Sequence, residues 1–124
     1  MIPAMFQVAA KVALSRKDKR NYCVGAVGIR NDGTIVKSRN SSNINIRNPK
    51  VHAEYKLSKK LDKYSVVYVV RIRPGDKSFA LAKPCPDCER ILRSKKVKTI
   101  YYSISNQEYG VLDLTKKRYW GMLC

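Results

Sequence analysis

Lys83-Pro84-Cys85-Pro86-Asp87-Cys88-Glu89 is the stretch around which the rest of the sequence can be interpreted. It contains two cysteines separated by two residues, a spacing at which both thiolates can bind one metal ion. Proline is typical of the first turn of a helix, where its missing N–H costs little. The positive end of the helix dipole also stabilises thiolates. The stretch therefore predicts the start of a helix that carries part of a metal site.

The single histidine of the chain supplies a third ligand. His52 lies in the segment Val51-His52-Ala53-Glu54. A zinc ion held by His52, Cys85 and Cys88 would keep its fourth position open for water. Glu54 lies two residues after the histidine, so it would be close to the metal without binding it. Zinc, water and a nearby carboxylate are the components of hydrolytic deamination.

Both motifs, His-x-Glu and Pro-Cys-x-x-Cys, resemble those of the cytidine/deoxycytidylate deaminase superfamily, in the branch whose first ligand is histidine. The resemblance extends to a hairpin over residues 23–36 and to a helix and strand over residues 88–103, and it covers residues 5–105. It implies an α/β fold, a three-layer α/β/α arrangement with a mixed central sheet. It also implies a Zn²⁺ cofactor and a homo-oligomer.

The same resemblance assigns roles to individual residues. Glu54 would move a proton from the attacking water to the ring nitrogen and later to the departing ammonia. Three residues would contact the substrate: Asn40, Ala53 and Pro84. Asn40 shares its loop with other asparagines, any of which could take its place: Asn43, Asn45 and Asn48.

Two other interpretations of the cysteine pair remain open. A Cys-x-x-Cys segment can be a redox pair, although such a pair normally follows the first strand of its fold and this one lies two-thirds along the chain. A structural zinc site would need a fourth ligand, for which Cys23 and Cys124 are the candidates. Neither belongs to a second closely spaced pair, which favours the open, catalytic type of site.

Periodicity predicts the order of helices and strands. Apolar residues recur at helical spacing in the first segment, and β-branched residues dominate residues 65–73, which predicts a strand buried on both faces. Asp32-Gly33 favours a hairpin turn. The predicted elements are a helix over 4–14, hairpin strands over 22–30 and 34–38, a helix over 51–63, a strand over 65–73, a helix over 85–94, and strands over 97–103 and 111–114.

Length and composition predict one domain, residues 1–124. No apolar run of 18 residues and no signal peptide is present, so we expect a soluble, cytoplasmic protein without membrane partners. Four cysteines without a secretory signal favour reduced thiols.

The charge is unusual, because 26 Lys and Arg residues against nine Asp and Glu residues give a formal net charge of +17. Such a charge attracts polyanions, although it could also be a solvated surface. The lysines and arginines of the second and third predicted helices and after them are most simply solvent-exposed. Loop cations near the expected site are better candidates for phosphate contacts: Arg16, Lys17, Lys19, Arg20, Arg39 and Arg47.

Three functions follow from these observations. The first is a zinc-dependent deaminase that converts cytosine to uracil in a small deoxycytidylate- or cytidine-type substrate. The second keeps this chemistry but acts on a base within RNA or single-stranded DNA, which the charge favours. The third is a non-catalytic, zinc-stabilised protein that binds nucleic acid through its basic surface.

Overall fold

The computed structural model describes residues 3–14, 23–39, 53–73 and 75–114. Three helices lie in these ranges: α1 (Met5–Ala13), α2 (Ala53–Ser58) and α3 (Pro86–Ser94). The strands are β1 (Cys23–Ile29), β2 (Ile35–Arg39), β3 (Val66–Ile72), β4 (Phe79–Ala80), β5 (Thr99–Ser103) and β6 (Tyr109–Asp113). None of the described helices is long and apolar enough to cross a membrane.

The strands form one mixed sheet. Its order is β2-β1-β3-β5-β6, and β4 pairs with β3 beside this path. β3 and β5 are parallel, whereas the other pairs are antiparallel. The register pairs Gly25 with Arg39 and Cys23 with Ile72. The carboxyl ends of β2, β3 and β5 therefore lie along one edge of the sheet.

Helices cover both faces of the sheet. On one face, α1 packs Phe6, Ala9 and Ala13 against β1 and β3. On the other, α2 and α3 contribute Leu57 and Leu92 to a second core. This is the predicted three-layer α/β/α arrangement.

The central strand β3 contributes to both cores. Val70 and Ile72 point into the core beneath α1, whereas Val67 and Val69 point into the core beneath α2 and α3. All four side chains are buried. The β-branched run was therefore correctly predicted to be a strand buried on both faces.

α1 approaches the sheet closely above Gly25. A Cβ atom at Gly25 would overlap the carbonyl oxygen of Ala9 and would lie 2.7 Å from the backbone nitrogen of Ala13. Helix α1 can lie this close to β1 only because the residue beneath it has no side chain.

The predicted hairpin turn is present. Gly33 has a φ of +90°, which an L side chain rarely adopts, and its N–H donates to the carbonyl of Arg30 at 2.8 Å. The Thr34 N–H donates to the Asp32 carboxylate at 2.9 Å. A second carboxylate, Asp62, accepts from the Asn31 N–H at 2.9 Å and so joins the turn to the segment before β3.

Helix α2 ends earlier than predicted, since the pattern indicated a helix to Lys63 and the structure ends it at Ser58. The Ser58 hydroxyl donates back to the carbonyl of Tyr55 at 2.5 Å, a bond that competes with helix continuation. The Lys60 N–H then bonds three residues back, to the carbonyl of Leu57 at 2.8 Å. Tyr64, at φ 66°, redirects the chain into β3.

The remaining differences concern strands, and one of them is that β5 begins at Thr99, two residues after its predicted start at 97. β4 was not predicted. β6 begins at Tyr109, two residues before its predicted start, and ends at Asp113, one residue before its predicted end. β4 has only two residues, too few to produce a periodic pattern. One of its backbone bonds is non-local, because the Phe79 N–H donates to the Asn106 side chain at 2.7 Å.

Candidate active site

The ends of two helices bring the described candidate residues together. α2 and α3 both begin at the edge formed by the carboxyl ends of the strands, and they pack against each other. Ala53 and Glu54 are the first two residues of α2. Cys85 is the N-cap of α3, in an extended conformation, and Cys88 lies in the first turn. Pro86 occupies the first helical position, as the sequence predicted.

Glu54 is buried, with 7% of its surface exposed. A carboxylate is rarely this buried unless it interacts with a partner or serves a chemical role. Glu54 also acts electrostatically on Cys88, which lies thirty-odd residues further along the chain. The fold therefore places the predicted acid–base residue close to Cys88, one of the two predicted metal ligands that the structure describes.

Cys88 lies in an environment that disfavours a lone thiolate. Burial raises the pKa of the Cys88 thiol far above its ordinary value, and the Glu54 carboxylate and Cys85 raise it further. Cys85 also hydrogen-bonds Cys88. Two adjacent sulfurs beside a buried carboxylate form a concentration of potential negative charge that a divalent cation would stabilise.

The donor set suits zinc. Two cysteine sulfurs are soft ligands of the kind that select zinc, and none of Cys23, Cys85 and Cys88 forms a disulfide. Among residues 3–14, 23–39, 53–73 and 75–114, no group of three His, Cys, Asp or Glu side chains forms a complete metal site. His52, the predicted third ligand, lies outside these ranges, as does Asn40.

The two other predicted substrate-contacting residues lie at this same site. Ala53 is fully buried at the start of α2, and Pro84 is buried directly before Cys85. Cys23, one candidate for a fourth structural ligand, belongs instead to the core beneath α1, on the opposite face of the sheet from α2 and α3. Cys124, the other candidate, lies outside the described residues.

A basic cavity, the α3 cavity, opens beside the cysteines. It has a volume of about 570 Å³ and is lined by Lys83, Pro84, Pro86, Glu89, Arg90 and Arg93. Two of the lining residues, Pro84 and Pro86, are the chain neighbours of Cys85. The sequence predicted Arg90 and Arg93 to be solvent-exposed only. Their spacing from Pro86 on the helix was the signal that could have placed them in one groove.

A different cavity lies between α1 and β2. Its volume is about 430 Å³, and it is lined by Val8, Lys11, Val12, Lys37, Ser38 and Arg39. Arg39, at the end of β2, was one of the cations predicted to contact phosphate. The other cations of that set are outside the described ranges.

Comparison with known proteins identifies the family. Residues 2–104 match the family model described as "Cytidine and deoxycytidylate deaminase zinc-binding region". The chain belongs to this family. Membership supports a cytosine deaminase with a zinc-binding region, and it favours metal binding by the cysteines over a redox pair.

Solved structures of cytidine deaminases share the fold. The enzyme from Burkholderia pseudomallei superposes with a TM-score of 0.63 at 18% identity, over 92% of this chain and 94% of its own. The enzyme from Mycobacterium leprae gives a TM-score of 0.59 at 18% identity, over 88% and 89%. A mutant cytidine deaminase from Mycobacterium tuberculosis gives 0.54 at 17% identity, over 83% and 86%. No curated protein matches the sequence of this chain. At these identities the structures establish the fold alone.

Proposed function

We propose that the protein is a zinc-dependent hydrolytic deaminase that converts cytosine to uracil in a deoxycytidylate- or cytidine-type substrate. One observation carries the proposal: buried Glu54 lies close to Cys88, which is hydrogen-bonded to Cys85, at the start of two packed helices. The family match over residues 2–104 supports it. So do the names of the structurally similar proteins, which are cytidine deaminases.

Three residues would hold the metal: His52, Cys85 and Cys88. Bound zinc would supply a Lewis acid that lowers the pKa of a water molecule towards neutrality. The position of Cys85 at the helix N-terminus assists binding, because the helix dipole favours the thiolate. Pro86 has no backbone N–H, so the first turn of α3 forms without a Pro86 donor that competes with the metal for the cysteine sulfur.

Glu54 serves as the general base and then the general acid. It accepts a proton from the attacking water and delivers it to the ring nitrogen beside the amine-bearing carbon. A C–O bond forms at this carbon, the C–N bond then breaks, and a proton passing through Glu54 leaves with ammonia. The sum is cytosine plus water to uracil plus ammonia, with no oxidant or reductant.

The substrate contacts are assigned to Asn40, Ala53 and Pro84. Asn40 would hydrogen-bond the sugar, and the Ala53 N–H would face the base. Ala53 and Pro84 are small or rigid and buried at the site, which suits close approach of a flat ring. The homo-oligomeric state stays a prediction.

Ammonia release by the zinc-loaded protein tests the proposal. The substrates would be deoxycytidine, deoxycytidylate, cytidylate, adenosine, guanine and a cytosine-containing single strand. Positioned acid–base groups contribute about 10²- to 10⁴-fold to rate, so Glu54→Gln should lose activity by that factor. Glu108→Gln removes an exposed carboxylate and should leave the rate unchanged.

Two results would count against the proposal. Full activity of Glu54→Gln would remove the assigned role of this residue. No turnover of any substrate by folded, zinc-loaded protein would favour the non-catalytic nucleic-acid-binding alternative instead.

A further inference from the structure

The cations of the α3 cavity are arranged in a row. Lys83 lies two residues before Cys85, and Arg90 and Arg93 lie on the next turns of α3 on the side where Pro86 also lines the cavity. From Pro86 to Arg93 the helix advances by about 10 Å at 1.5 Å per residue. The row therefore begins at the cysteine end of the site and leads away from it along α3.

The ion pair formed by Arg90 is weak. Arg90 contacts Asp87 at 3.2 Å, but the two side chains are 76% and 57% exposed. So exposed a pair is weak in water, and Arg90 can exchange this carboxylate for another anion at little cost. Lys83 is exposed.

Arg93 is held more firmly. Its Nε donates to Glu89 at 3.2 Å, and both side chains are at most one-third exposed. This bond uses one of the five donors of the guanidinium and fixes its plane. Among the lining residues three cations face one carboxylate, so the α3 cavity remains positive.

The formal charge of +17 indicates which anion the row would bind. A single phosphate needs one or two cations, whereas three cations lining one cavity fit consecutive phosphates of a strand. Exposed lysines continue past the end of α3: Lys95, Lys96 and Lys98. A single strand also presents unpaired bases, which a deaminase requires.

We propose that the α3 cavity binds consecutive phosphates of a single-stranded nucleic acid, so that a neighbouring base can enter the active site. Entry of the base rests on the proposed function, whereas binding of the phosphates does not. The inference adds a cytidylate unit within a single strand to the free deoxycytidylate- or cytidine-type substrate proposed above.

Strand binding can be measured without deamination. The probe is a fluorescent single-stranded DNA of thymine only, titrated with zinc-loaded protein at several salt concentrations. Lys83→Gln/Arg90→Gln removes two exposed cations of the cavity. Lys59→Gln/Lys63→Gln removes two exposed cations after α2, at the opposite edge of the sheet, and gives the same net charge.

The cavity variant should bind roughly ten-fold more weakly, and its log–log salt slope should fall by about 1.4, about 0.7 for each lost phosphate contact. The control variant should keep the wild-type slope. Thermal unfolding of both variants should match the wild type, because all four side chains are exposed.

Equal losses in the two variants would overturn the proposal, because scattered surface charge would then explain binding. Failure of the wild-type protein to bind the strand would overturn it as well. So would a cavity variant that loses only turnover of free deoxycytidylate, since the cavity would then serve a mononucleotide. A lack of deamination activity with these binding results unchanged would contradict the proposed function alone.

Discussion

Replacing Gly25 with alanine tests how closely α1 packs on the sheet. The added Cβ would overlap the Ala9 carbonyl oxygen and lie 2.7 Å from the Ala13 nitrogen, where favourable contacts begin near 3.5 Å. Helix α1 must therefore move away from β1 by about 0.8 Å or more. Both contacts are with the backbone, so rotation of a flexible side chain cannot relieve them.

The expected loss of stability follows from this displacement. Overpacking a well-packed core costs about 1–3 kcal/mol, and contact with the backbone places Gly25→Ala at the upper end. Alanine also restricts the unfolded chain more than glycine does, which offsets about 0.4–1 kcal/mol of this loss of stability. The net loss is about 2 kcal/mol, which for a chain of this length lowers the unfolding midpoint by roughly 8–10 °C.

Thermal unfolding by circular dichroism measures this effect, with all proteins loaded with the same zinc concentration because bound metal shifts the midpoint. Gly75→Ala is the matched control, since a Cβ at Gly75 would have no atom within 4 Å. It should leave the midpoint unchanged or raise it slightly. Equal midpoints for Gly25→Ala and the wild type would refute the close packing of α1 on β1.

Three further predictions concern other parts of the chain. Ser103→Ala removes a fully buried hydroxyl that donates to the Ala80 carbonyl at 2.7 Å, and should cost about 1–3 kcal/mol in urea unfolding, unlike the exposed Ser94→Ala. Hydrogen bonds from the Asn31 N–H and the Ser65 hydroxyl lower the pKa of Asp62. The Asp62 carboxylate therefore stabilises the fold above the ordinary carboxylate pKa, and this stabilisation is lost as the pH falls below that pKa. Asp62→Asn should accordingly flatten the decline of the unfolding midpoint in acid. Cys88→Ser should lower the zinc retained per chain after dialysis, measured by atomic emission, and retention equal to that of Cys23→Ala would contradict the assigned ligand.

Much of the fold could be predicted from local patterns. The turn at Asp32-Gly33, the apolar spacing of α1 and the β-branched run of β3 each have a local physical cause, and each is present where expected. The Pro-Cys-x-x-Cys stretch predicted the start of α3 to within one residue. The proximity of Glu54 to the cysteines followed from the resemblance, because no local pattern relates residues so far apart in the chain.

The parts that could not be predicted depend on distant segments. β4 is stabilised by pairing with β3 and by the Asn106 side chain. The early end of α2 depends on Ser58, which bonds its own helix instead of extending it. The α3 cavity forms only when the residues before α3 fold against those within it. The sequence alone therefore could not show that Arg90 lines a cavity.

The parallel pairing of β3 with β5 has a consequence for how the protein folds. Parallel neighbours require a crossover, which here contains both cysteines, so this pairing forms only after a long loop has closed. Topologies with such long-range contacts fold slowly. The proposed ligand His52 and the two cysteines are far apart in the sequence, so metal affinity should develop with the crossover and then contribute to the folding free energy. Removal of zinc should accordingly speed unfolding more than it slows refolding.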